Sequence, residues 1–142
     1  MNADILKGFF EGRVRASVLA QEAERAETLF NQGTHDALTT DLADEFTVNT
    51  GHLVSLCDAV TKKDLAAERL EVLASVLVRS EKFTWDPRSS EGALVSRVIY
   101  AWEAPEINYT LSAATADKFR RLLTTGEDGF TDEDWSERPG AL

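Results

Sequence analysis

Two pairs of carboxylates and two histidines are the side chains of this sequence whose types and spacing best suit chemistry. Asp41 and Asp44, with Glu45 beside them, and Glu68 and Glu71 each place acids three residues apart, about one helical turn. On adjacent helices such pairs form the donor set of a Mg²⁺-dependent nucleotide hydrolase, because hard cations take oxygen ligands. The surrounding apolar pattern opposes that use. Leu42 and Phe46 define one buried stripe and Leu70 and Leu73 another, which turns Asp44, Glu68 and Glu71 toward solvent or to the flanks. No Lys or Arg cluster near these acids would hold a triphosphate. A metal-dependent hydrolase therefore requires Asp41, Asp44, Glu68 and Glu71 to converge against their helical phase.

His35 and His52 are the only histidines, and 17 residues of continuous helix would separate them by about 25 Å, too far to share a metal. Neither belongs to an HExxH or a Glu-x-x-His pair. Cys57 is the single cysteine, so one chain forms neither a disulfide nor a thiolate zinc cage, and the residue reads as a small core filler. There is no GxSxG elbow and no Walker glycine loop. The close pairs Arg13 and Arg15, and Arg120 and Arg121, read as ion partners on helix surfaces rather than an anion site. These residues describe a protein that is not an enzyme, with no cofactor and no metal.

The elements that carry these residues follow from apolar spacing. Ile5, Leu6, Phe9, Phe10, Val14, Val18, Leu19, Ala23, Ala26, Leu29 and Phe30 recur at helical steps, predicting one long first helix from about Ala3 to Gln32, capped by Gly33. A helix of ~28 residues spans about 40 Å, more than a compact domain of this size needs. Gly8 and Gly12 inside that pattern mark weak turns or a close backbone approach. Thr34 or Asp36 caps a second helix through Leu38, Leu42, Phe46, Asn49, Leu53, Leu56 and Val60. Asn49 in that stripe, within TVNTG, marks either a break or a buried polar residue that fixes register. A third helix runs from about Asp64 to Ser80, and EKFTWDPRSSEG then breaks the pattern and holds Phe83 and Trp85 in a loop or short extended piece. Ser89 or Ser90 caps a fourth helix that ends with Trp102, because Pro105 disfavours helix at Ala104. A fifth starts near Ser112, carries Ala116, Phe119, Leu122 and Leu123, and ends at Gly126.

The expected fold is thus all-α: a single-domain bundle of about five helices over residues 1–126, followed by an acidic tail over residues 127–142 that is flexible or docked. At 142 residues with 43% hydrophobic and 28% charged, the chain can build one ordinary core. The formal charge is −10, and the tail supplies half of it: Glu127, Asp128, Asp132, Glu133, Asp134 and Glu137 against Arg138 alone. Such a field repels nucleic acid and anionic lipid and attracts basic partners. No segment has the ~20 apolar residues of a membrane span, and the start lacks the order of a signal peptide, which places the protein in the cytoplasm.

Two regions remain as candidate contacts. Trp102, Tyr109, Phe83 and Trp85 either pack as one aromatic cluster beneath the loops or, flanked by Glu103 and Glu106, form a contact patch. Asp132, Glu133, Asp134 and Trp135 make the tail a second one, with Thr131 and Asp134 spaced to cap one short turn. The function these features predict is stoichiometric binding of a basic protein, as an immunity protein, antitoxin or other acidic inhibitor does; the resemblance is one of general character, carried by no motif. The alternative is a structural or adaptor subunit that homodimerises through its long first helix.

Overall fold

The computed structural model describes residues 1–31 and 37–136, so Gly33, Thr34, His35 and Asp36, as well as Glu137 and Arg138, lie outside the described residues. Among the described residues six helices surround one core: α1 (Ala3–Phe10), α2 (Ala16–Asn31), α3 (Thr50–Thr61), α4 (Arg69–Arg79), α5 (Ser90–Glu103) and α6 (Ala113–Thr125). Two short strands, β1 (Phe46–Thr47) and β2 (Phe83–Thr84), pair in parallel with Phe46 opposite Phe83. None of the helices is long and apolar enough to cross a membrane.

The long first helix expected from the sequence is two helices. Gly12 takes φ +77°, a left-handed conformation that ends a helix at little cost, and the N–H groups of Arg13 and Val14 both donate to the Gly8 carbonyl. The chain then folds back so closely that a Cβ at Gly8 would lie 2.5 Å from Val14 Cγ2. The apolar spacing runs on through this turn because α1 and α2 each bury a face on the same core: Leu6 on one, Leu19, Ala23 and Ala26 on the other. Its 16 residues give α2 a length of about 24 Å, which removes the overhang that a 40 Å helix would have presented.

The expected second helix is likewise shorter. Residues 37–49 carry no helix; Leu42 and Val48 are buried there by turns and by β1 instead. Asn49 breaks the pattern by capping α3: its side chain accepts from the His52 N–H while its own N–H donates to His52 Nδ1, both at 3.0 Å. These reciprocal bonds satisfy two donors at a helix start. The third helix begins at Arg69 rather than near Asp64, because Lys63 at φ 67° turns the chain and Leu65 is buried from within that turn.

The remaining helices follow their local signals. Ser89 caps α5 by accepting from the Gly92 N–H, Ser112 caps α6 through a reciprocal box with Thr115, and Gly126 ends α6 at φ 77°. Pro105 opens a single 3-10 turn, Pro105–Ile107. In the core α3 packs mainly on α6, and α4 on α5 and α2. Trp102, Phe119, Leu53, Leu56, Leu70 and Leu73 lie at its centre, all but inaccessible to water.

After Gly126 the acidic segment turns back along the body. Thr131 and Asp134 cap a 3-10 turn, Asp132–Asp134. The Thr110 N–H donates to the Asp134 carbonyl and the Ser136 N–H to the Asn108 carbonyl, which sets Trp135 antiparallel to Tyr109. Arg97 with Asp128 (2.8 Å) and Lys118 with Asp134 (2.6 Å) add ion pairs across the seam.

Candidate binding surface

The aromatic residues form two groups rather than one. Phe83 on β2 meets Phe46 across the strand pair, both pack on Phe10 at the end of α1, and Phe10 and Phe46 also meet His52 of α3. Tyr109 belongs elsewhere: its ring meets Phe119, Phe130 and Trp135, while Phe119 meets Trp102 edge-on at 5.7 Å. The parallel pairing of β1 with β2 draws Phe83 to one side of the core, and the acidic segment's return draws Tyr109 to the other.

The candidate contact residues are therefore scattered in role. Trp102 is fully buried and its indole Nε1–H has no partner, so it supports the core and cannot touch another protein. Trp85 is half-buried beside β2, next to a shallow groove with Thr47, Pro87 and Arg88. Asp134 is engaged by Lys118 and by the Thr131 N–H, which hold its carboxyl below the usual carboxylate range. Asp132, Glu133 and Trp135 are exposed on the docked segment, with Trp135 40% accessible. Glu103, half-buried, and Glu106, exposed, lie at the end of α5 and in the turn that follows.

Glu103 and Glu106 do have company, from an unexpected direction. A cleft of about 250 Å³ opens between α2 and α4, lined by Glu27 and Phe30 from α2, Glu68, Glu71 and Val72 at the start of α4, and Glu103. Arg69 pairs with Glu27 on one wall, and Arg79 lines another. The carboxyl of Glu71 is raised above its ordinary value by burial first, then by the charges of Glu106 and Glu27. Glu71 is exposed as a whole residue, so that burial acts on part of its surface only. Phe30, 42% accessible, and the buried Val72 give the same cleft an apolar side.

Glu68 and Glu71 do not meet Asp41 and Asp44. The Asp41 carboxylate accepts from Ser80 Oγ (2.6 Å), the Glu81 N–H and the Leu42 N–H, and against the opposing effect of burial these bonds lower its pKa. It ties the chain before β1 to the end of α4. Asp44 is exposed. Among the described residues no three His, Cys, Asp or Glu side chains are grouped to hold a metal ion. Burial pushes the Cys57 thiol up to about 12, leaving no thiolate for nucleophilic work. Arg120 pairs with Asp58 of α3 at 2.8 Å, and Arg121 with Glu127, just past the end of α6, at 3.6 Å.

Glu27 and Phe30 carry no surface signal in the sequence, because Phe30 continues the apolar helical period through Ala26 and Leu29. Glu68, Glu71 and Ser75 do carry a signal: they recur at three- and four-residue steps on the side of α4 away from Leu70 and Leu73. What chemistry the cleft allows is acceptance of a cation with an apolar stem, such as a Lys or Arg side chain. Compared with protein-family models, curated proteins and solved structures, the chain matches none of them.

Proposed function

We propose that the protein is a non-enzymatic, acidic binder of a basic protein partner, an inhibitor of the immunity or antitoxin type, which docks that partner on the cleft between α2 and α4. The carrying observation is the carboxylate lining of that cleft, where the Glu71 carboxyl is raised first by partial burial and then by the charges of Glu106 and Glu27. A Lys or Arg side chain of the partner relieves that repulsion on entering, while Phe30 and Val72 take up its methylenes. The exposed Ile107 next to Glu106 extends the apolar contact, and the formal charge of −10 steers a basic partner toward it. On this reading the protein works in the cytoplasm and uses neither cofactor nor nucleic acid.

The test is affinity capture from the native host at low and high salt, with mass spectrometry of what elutes, repeated with the Glu71→Gln/Glu106→Gln double variant. A basic protein retained at low salt, released at high salt and lost by the double variant supports the proposal. Capture that is indifferent to salt and to both substitutions sinks it.

A homo-oligomeric adaptor remains the second reading, on different grounds from helix length. Val18 and Leu29 are exposed 11 residues apart on α2, about three turns, and so share one face. Glu22 and Arg25 pair between them. A dimer that depends on concentration and is insensitive to salt would favour this reading over the first.

A further inference from the structure

His52 joins three separate parts of the chain. Its Nδ1 accepts the Asn49 N–H at 3.0 Å and so completes the cap of α3. Its ring stacks on Phe10, the last residue of α1, with centroids 4.9 Å apart and planes at 28°, and tilts against Phe46 of β1 at 5.0 Å. Phe10 and Phe46 in turn both meet Phe83 of β2. Only neutral imidazole serves this arrangement, because a protonated Nδ1 is a donor and would face the Asn49 N–H, itself a donor.

We propose that His52 is a proton-operated latch: neutral, it clips the end of α1 and the β1–β2 pair to the start of α3, and protonated at mildly acid pH it releases them. The proposal is independent of what binds in the cleft. The charged groups facing the ring are Glu11, just past α1, with Arg13 and Lys7 beside it, and Glu91 of α5, which also accepts from Thr50 Oγ1 at 3.0 Å. From β1 the neighbour is Phe46, which in turn packs edge-on against Phe83 of β2. Partial burial lowers the His52 pKa, and the charges of Glu91 and Glu11 offset part of that effect. The unfolded chain therefore binds this proton more readily than the folded one. Its contribution to stability is complete above the ordinary imidazole value of about 6.5 and declines as pH falls below it.

The decisive comparison is between the wild-type protein and His52→Gln, since Gln at this position preserves a capping acceptor without titrating. Thermal unfolding is followed from about pH 7.5 to about pH 5. The wild-type midpoint should fall by several degrees more than that of His52→Gln, and the Asn49 amide of the wild type should lose protection from hydrogen exchange over the same interval. Parallel midpoint curves overturn the proposal. Should the variant fail to fold, an NMR titration of the wild type decides: a His52 transition below the ordinary imidazole value, concurrent with loss of Asn49 protection, supports the latch. A transition at or above that value, or Asn49 protection that does not change, overturns it.

Discussion

The rings of Tyr109 and Phe130 lie 3.9 Å apart at 10°, so the stretch before α6 and the acidic segment after it are stacked face to face. That contact, with the bonds from Thr110 and Ser136, makes the segment around Phe130 part of the folded body. Phe130→Ala should leave the helical circular dichroism unchanged while lowering stability by about 2 kcal/mol, less than a fully buried Phe because Phe130 is only half-buried. Urea unfolding measures it. A denaturation curve identical to that of the wild type would mean the stack contributes nothing.

Trp102→Ala should cost far more, about 3–5 kcal/mol, since the indole is completely enclosed and its loss leaves a cavity against Phe119. The fluorescence of the intact protein should include a tryptophan component shielded from soluble quenchers, and Trp102→Phe should abolish it.

Gly92 is held to its identity by a close approach. A Cβ there would lie 1.7 Å from the Asp86 carbonyl oxygen, a backbone atom that the Ser89 turn keeps in place. Gly92→Ala should destabilise by about 1–3 kcal/mol despite the better helix propensity of alanine. A midpoint equal to or above that of the wild type would show that the 86–89 turn yields freely.

Glu71→Gln separates stability from binding. The folded-state pKa of Glu71 lies above its unfolded value, so its charge opposes folding increasingly as pH rises past the unfolded value and fully above the raised one, and protonation on acidification removes the penalty. The variant should be more stable at neutral pH, by roughly a few tenths of a kcal/mol after allowance for solvent screening, and the advantage should vanish toward about pH 4. Under the proposed function, the same variant should capture a basic partner less well. A loss of stability at neutral pH would show that Glu71 has a cation of its own within the fold.

Legibility in the sequence varied with the range of the interaction that decides each feature. Ser89, Ser112 and Gly126 bound their helices because a cap is settled by a side chain or a φ angle within three or four residues. The break at Gly12 had a local signal too, but the apolar series through Val14 and Val18 outweighed it: two helices packed on one core carry the same period as one. For the cleft, each carboxylate on its own reads as an ordinary solvated residue.

Taken alone, the order of residues determined a helical class, the later caps, the acidity of the final segment and the burial of residues such as Leu73 and Phe119, all consequences of periodicity and composition. The pairing of Phe46 with Phe83, the enclosure of Trp102 and the nearness of Glu71 to both Glu27 and Glu106 belong to the tertiary structure alone. Phe46 and Phe83 stand 37 positions apart in the chain, and Glu71 stands 44 from Glu27 and 35 from Glu106; no local propensity encodes such distances, and packing around a shared core brings them together.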